Sequence, residues 1–206
     1  MASNDYHFIT QWHVRGTRDE VGRILADGPS LVRWWPSVYL DVRQLKPGDA
    51  QGLGAEVDLF TRGWLPYTLR WWFRVTESHP PEGFTIEAHG DFEGRGIWTL
   101  EQHGEWVDIT YDWLIRADKP LLRTFSWLMK PIFAANHRWA MARGEESLKL
   151  ELARRRASTA DDRALLPAPP APARSAPLLA AAGAALAATG LLVALARWQR
   201  TAARRG

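Results

Sequence analysis

The chain contains no cysteine in its 206 residues. Disulfides, thiolate nucleophiles and thiolate zinc ligation are therefore excluded. Histidine is sparse, with six in all, and none shares a helix face with a carboxylate at ligand spacing. His7 and His13 fall on one strand face but stand too far apart for one ion, so no metal is expected. Gly90, Gly94 and Gly96 lie close together, yet no strand-to-helix phosphate loop surrounds them. Neither a nucleotide nor another cofactor is expected. The N-terminal Met1-Ala2-Ser3-Asn4-Asp5 has no basic stretch followed by an apolar core, so no export signal is expected.

Positive charge is lacking where a nucleic-acid binder would need it. Residues 1–153 hold 17 Lys+Arg against 21 Asp+Glu, a net of −4, while residues 154–206 hold 9 Arg against 2 Asp, a net of +7. The overall +3 and the pI of about 9.5 thus come from the tail. A folded part with net negative charge offers no basic face to a polyanion, which excludes nucleic acid as its partner.

Tryptophan, by contrast, is abundant. There are twelve, and eleven fall within the first 139 residues. Each is large and carries an N–H that needs a partner when buried. They read either as a tryptophan-rich core or as the lining of a ligand cavity.

The apolar pattern is mostly of period two. Phe8, Thr10, Trp12 and Val14 alternate with His7, Ile9, Gln11 and His13, as in a strand. Thr17 with Glu20 three residues on fits a capping box and opens a helix to about Asp27. Gly28-Pro29-Ser30 breaks it and starts a second short helix through Trp34-Trp35, ended by Pro36. Six more strands follow: Val38–Leu45, Ala55–Leu59, Tyr67–Thr76, Phe84–His89, one opened by Gly94 and Gly96, and Val107–Ile115. The turns between them are short and rich in Gly and Pro, which favours an antiparallel meander. Pro120 ends the sheet and Leu121–Met129 reads as helical. Pro131 then either kinks this helix or sits in the first turn of a new one that runs to about Arg154.

The expected class is α+β, a curved antiparallel sheet around a long C-terminal helix, with room for a cavity between them. Tyr67, Trp71, Phe73, Trp98, Tyr111 and Trp113 would face that helix from the strands. Phe133, Asn136, His137 and Ala140 share one face of the helix at i, i+3, i+4 and i+7. Trp34 and Trp35 would close one end. Aromatic walls with a few polar groups suit an apolar ligand. His137 reads either as a helix histidine with a structural hydrogen bond or, with Asn136 and the facing Tyr111, as a group that orients a carbonyl or moves a proton. His137 and Tyr111 are thus the catalytic candidates. Trp35, Tyr67, Trp71, Phe73, Trp98, Tyr111, Trp113, Phe133, Asn136 and His137 are the expected ligand-binding residues.

Beyond the helix the composition changes. Residues 157–177 read as a Pro/Ala-rich linker, residues 178–198 as a membrane-spanning helix and residues 199–206 as a basic tail. Ala176 to Ala196 is free of charge over 21 residues, though ten of them are Ala. Arg154-Arg155-Arg156 suits the negative end of the long helix, or attraction to anionic lipid worth about 1 kcal/mol per basic residue. Arg197, Arg200, Arg204 and Arg205 outnumber Arg163 and Arg174, which by the positive-inside rule places the tail in the cytoplasm. That would put the domain outside; the lack of an export signal, a tail short enough to be translocated and the triple Arg on the domain side instead favour a cytoplasmic domain on a single-pass C-terminal anchor.

The element order, together with Pro131-Ile132-Phe133, Asn136-His137, Met141 and Gly144-Glu145-Glu146-Ser147-Leu148, resembles the START-like, polyketide cyclase/dehydrase superfamily. The resemblance covers roughly residues 5–153 and implies the helix-grip fold over a domain 1–156. It implies a pocket for a hydrophobic molecule, since the superfamily includes lipid-transfer proteins, quinone-binding proteins, plant ligand receptors and aromatase/cyclases. Three functions follow as expectations. The first is a membrane-tethered module that binds or transfers a hydrophobic small molecule or lipid. The second is a cyclase- or dehydratase-like enzyme, and the third a membrane scaffold using Gly183 and Gly190. Nothing in the sequence points to an oligomeric state.

Overall fold

The computed structural model describes residues 5–117 and 126–173, with backbone alone for Ala117 and residues 126–129. The elements run β1 Asp5–Arg15, α1 Arg18–Leu25, a 3-10 turn Gly28–Ser30, α2 Leu31–Trp34, β2 Tyr39–Lys46, β3 Glu56–Thr61, β4 Leu69–His79, β5 Gly83–Gly90, β6 Phe92–His103, β7 Trp106–Ala117, α3 Ser126–Arg156 and α4 Ala160–Ala164. The seven strands form one antiparallel sheet in the order β1-β7-β6-β5-β4-β3-β2. Strands β2 to β7 are therefore a meander, and β1 adds to its far edge beside β7.

Alternation in the sequence becomes two-facedness in the sheet. In β1, Tyr6, Trp12 and Val14 are buried while His7, Ile9, Gln11 and His13 are exposed. In β4, Trp71, Phe73 and Val75 are buried between exposed Arg70 and Arg74. The inward residues join those of α1, α2 and α3 in a single core. The capping box of α1 is formed: Glu20 N donates to Thr17 Oγ1 at 3.2 Å and Thr17 N to the Glu20 carboxylate at 2.9 Å.

Some boundaries differ from the sequence expectation. β6 begins at Phe92, so Gly94 and Gly96 lie inside the strand rather than opening it. A methyl at Gly94 would run into Ile115, and one at Gly96 into the Tyr111 and Trp113 rings. Gly96 thus lets the Tyr111 and Trp113 rings, and Gly94 the Ile115 side chain, pack close against β6. Tyr67 precedes β4, which starts at Leu69. Pro131 lies inside α3, which continues through it. Within the expected linker 157–177 the chain forms α4, capped by Thr159 and Asp162.

The last turns of α3 are held by ion pairs. Glu151, 1 % exposed, receives Arg33 of α2 in a two-pronged pair at 2.8 and 2.7 Å, and Arg155 at 2.8 Å. Arg156 pairs with Glu20 of α1, and Arg154 donates to the Pro167 carbonyl. All three of these arginines thus have partners within the protein. Among the described residues no helix is long and apolar enough to cross a membrane. The expected span 178–198 and basic tail 199–206 lie outside the described residues.

Candidate functional site: an aromatic cavity under the long helix

Between the concave face of the sheet and the first half of α3 lies a cavity of about 170 Å³. Tyr6 and Phe8 of β1, Leu69 and Trp71 of β4, Phe92 of β6, and Tyr111, Trp113 and Ile115 of β7 form its sheet wall. Phe133, Asn136, His137, Ala140 and Met141 face it from α3, one stripe of the helix. Trp35, Val38 and Tyr39 close one side, and Thr61 to Gly63 with Tyr67 close another.

The rings brace one another. Tyr111 stacks on Trp113 at 5.4 Å, and Trp113 meets Trp71 at 6.0 Å. Phe133 sets its edge to Tyr6 and Tyr67 at 6.0 and 6.1 Å. Phe8 stacks on the His137 imidazole at 4.3 Å. Such contacts are worth about 0.5–1.5 kcal/mol each beyond burial, and they fix the wall's shape.

The polar groups are few. Trp71 Nε1 donates to Thr61 Oγ1 at 3.1 Å. Asn136 Oδ1 accepts from Leu65 N at 3.2 Å, which ties the β3–β4 loop to the helix. Gly63 lies so close that a methyl there would overlap the Asn136 amide. His137 Nε2 stands 3.4 Å from Thr10 Oγ1. Two buried donors of the lining, Tyr6 Oη and Trp35 Nε1, have no hydrogen-bond partner among the described residues. An orphaned buried donor is unfavourable, and a ligand acceptor would relieve it.

At neutral pH the titratable rings are uncharged. Burial is the main reason that the His137 pKa falls to about 4, with Arg138 adding to it. Burial pushes Tyr67 up to about 12, and Tyr6, Tyr39 and Tyr111 upward too. Among the described residues, Arg62 is the one formally charged residue of the lining.

Of the ten residues expected from sequence, Trp35, Tyr67, Trp71, Tyr111, Trp113, Phe133, Asn136 and His137 stand around this cavity. Phe73 and Trp98 do not. They are buried as expected, but Phe73 lies beyond the Trp71 ring along β4 and Trp98 beyond the Tyr111 ring on β6. Trp34 is buried in the core and does not line this cavity. Tyr6, Phe8, Phe92 and Ile115 were missed although the same alternation continues to them. Tyr39 and Thr61 stand at strand ends, which periodicity does not resolve. Among the described residues no group of acidic or histidine side chains is placed to hold a metal.

No protein-family model and no curated protein matches the chain. Solved structures do. The Zhui aromatase/cyclase from a Streptomyces species superposes with a TM-score of 0.59 at 16% identity, over 75% of this chain and 97% of that one. A STAR-related lipid transfer protein fragment from Xanthomonas axonopodis gives 0.50 at 18% identity, over 73% and 88%. The di-domain aromatase/cyclase StfQ of the steffimycin biosynthetic pathway gives 0.56 at 13%, over 75% of this chain and 52% of that one. At such identities the likeness concerns the fold, which is START/polyketide cyclase-like.

Proposed function

We propose that the protein binds a hydrophobic small molecule or lipid in the cavity under α3. The observation that carries this reading is an aromatic cavity whose titratable rings are neutral and whose lining includes two unpartnered buried donors. An apolar ligand gains about 25 cal/mol per Å² of surface buried there, and one acceptor atom on it satisfies a donor. At about 170 Å³ the cavity compares with an engineered cavity of about 150 Å³ that admits benzene, so it takes a ring-sized group. The structural neighbours named for lipid transfer and aromatase/cyclase activity support a ligand of this hydrophobic class.

Binding is favoured over proton-transfer chemistry by the two catalytic candidates themselves. Efficient acid–base groups have pKa values near the working pH. His137 lies near 4 and Tyr111 well above the ordinary tyrosine value. As part of the same proposal, the apolar segment 178–198 anchors the domain to a membrane, where such ligands dissolve.

Native mass spectrometry of the full chain, with extraction of whatever co-purifies, tests the reading. A stoichiometric hydrophobic molecule on the wild type, absent from Ala140→Trp, is the expected result. Recovery of both proteins empty, or of the same molecule from both, overturns it.

A further inference from the structure

Phe73 and Trp98, the two expected binding residues that do not line the cavity, stand between it and a second one. The second hollow, of about 230 Å³, lies beneath α1, with Val57, Phe73, Val75, Phe84 and Leu100 at its base. The two hollows share no lining residue. Along β4, Trp71 belongs to the first and Phe73 to the second, and their rings are 6.2 Å apart. Across the sheet, Phe84, Trp98 and Tyr111 sit in register on β5, β6 and β7. Trp98 stacks on Tyr111 at 4.0 Å, a wall of the first hollow, and meets Phe84 at 6.3 Å, a wall of the second. Along β4 the two walls thus adjoin directly, and across the sheet Trp98 lies between them with Trp12 packed on it at 5.4 Å.

We propose that Phe73 and Trp98 are a septum that limits how long a ligand the first cavity accepts. The second hollow is the space that a longer apolar tail would occupy if the septum were thinned. The inference rests on the binding function proposed above and adds a specificity element to it. The linings agree with the assignment: the second hollow has an apolar base like the first, and its charged residues Asp19 and Arg23, with Gln44 and Gln51, are exposed. An apolar tail entering from the first hollow would meet Phe73, Val75 and Leu100 before any charge.

The test is a series of 4-n-alkylphenols, butyl to dodecyl, titrated into the full chain and read by native mass spectrometry. Wild-type affinity is expected to rise about three- to fourfold per methylene until the tail reaches the septum, and then to level off. In Trp98→Leu and in Phe73→Leu the break moves to longer tails by two or more methylenes. Adding Ala55→Phe to Trp98→Leu fills the second hollow and brings the break back. The wild-type series needs no variant: affinity that climbs unbroken through dodecyl overturns the septum and leaves binding standing. A break that stays in place in both single variants does the same. If no alkylphenol binds at all, the septum falls together with the proposed function.

Discussion

His137 ties the cavity to pH. Its pKa is near 4 in the folded protein against about 6.5 in an unfolded chain, because burial and then Arg138 oppose the charged ring. Between those values the unfolded chain binds the extra proton, so stability falls as pH falls. The neutral ring's contribution is complete above about pH 6.5 and is lost as pH drops through 4. Relative to His137→Leu, the wild type is expected to lose on the order of 2 kcal/mol over that window, after allowing for residual hydration of the ring. Urea unfolding at pH 7, 5.5 and 4 measures it, and parallel curves for the two proteins would refute the assignment. A second residue-scale prediction concerns Gly144, where any side chain would overlap the Trp35 indole. Gly144→Ala should lower stability by about 1–3 kcal/mol through overpacking. Because Trp35 lines the cavity, the same change should weaken ligand binding, and thermal unfolding with and without ligand reads both. His137 and Gly144 were both visible in the sequence as part of one helix motif. The Trp35 contact that makes Gly144 necessary was not, since it joins residues more than a hundred positions apart.

At the scale of elements, Glu151 is what α2 and α3 share. Its carboxylate is buried, whereas Arg33 and Arg155 are 55% and 37% exposed at the side chain. Burial opposes the charge, but the hydrogen bonds and charges of Arg33 and Arg155 outweigh it and hold the pKa below the usual carboxylate value. The pair is therefore asymmetric. Glu151→Met releases two guanidinium groups that water can reach, at a loss of about 1 kcal/mol. The double change Arg33→Met and Arg155→Met strands a buried carboxylate, at a loss of about 3 kcal/mol or more. Chemical denaturation of the variants ranks them, and equal losses would contradict the burial difference. The elements themselves were largely legible. Period-two runs from Tyr6 to Ile115 are long enough to show seven strands, and Thr17 with Glu20 marks the start of α1 because that cap is local. What alternation does not reveal is how far along a strand the cavity reaches. Trp71 and Phe73 satisfy the same pattern, yet Trp71 lines the first hollow and Phe73 the second, a division that depends on rings of other strands.

At the scale of the molecule, the chain divides after Pro172 into residues 1–172 and residues 173–206. The negative charge and the aromatic cavity belong to the first, and the charge-free stretch from Ala176 to Ala196 with its four following arginines belongs to the second. A ligand pocket of ring size binds a dilute, poorly soluble molecule only as fast as it meets one. A domain confined to a bilayer meets lipid-dissolved ligands at a high effective concentration without any new contact. Tethering therefore predicts a division of labour. Deleting residues 173–206 should leave the thermal midpoint and the ligand's intrinsic affinity unchanged, because the cavity is built from residues 6–141. The same deletion should move the protein from an alkaline-carbonate-resistant membrane fraction to the supernatant and slow its loading from vesicles. Full-length protein that is extracted by carbonate as readily as the truncated form would sink the anchor while leaving the cavity intact. A truncated form that loads from vesicles as fast as the full chain would show that the tail serves some other purpose, because proximity to the bilayer would then bring the pocket no advantage.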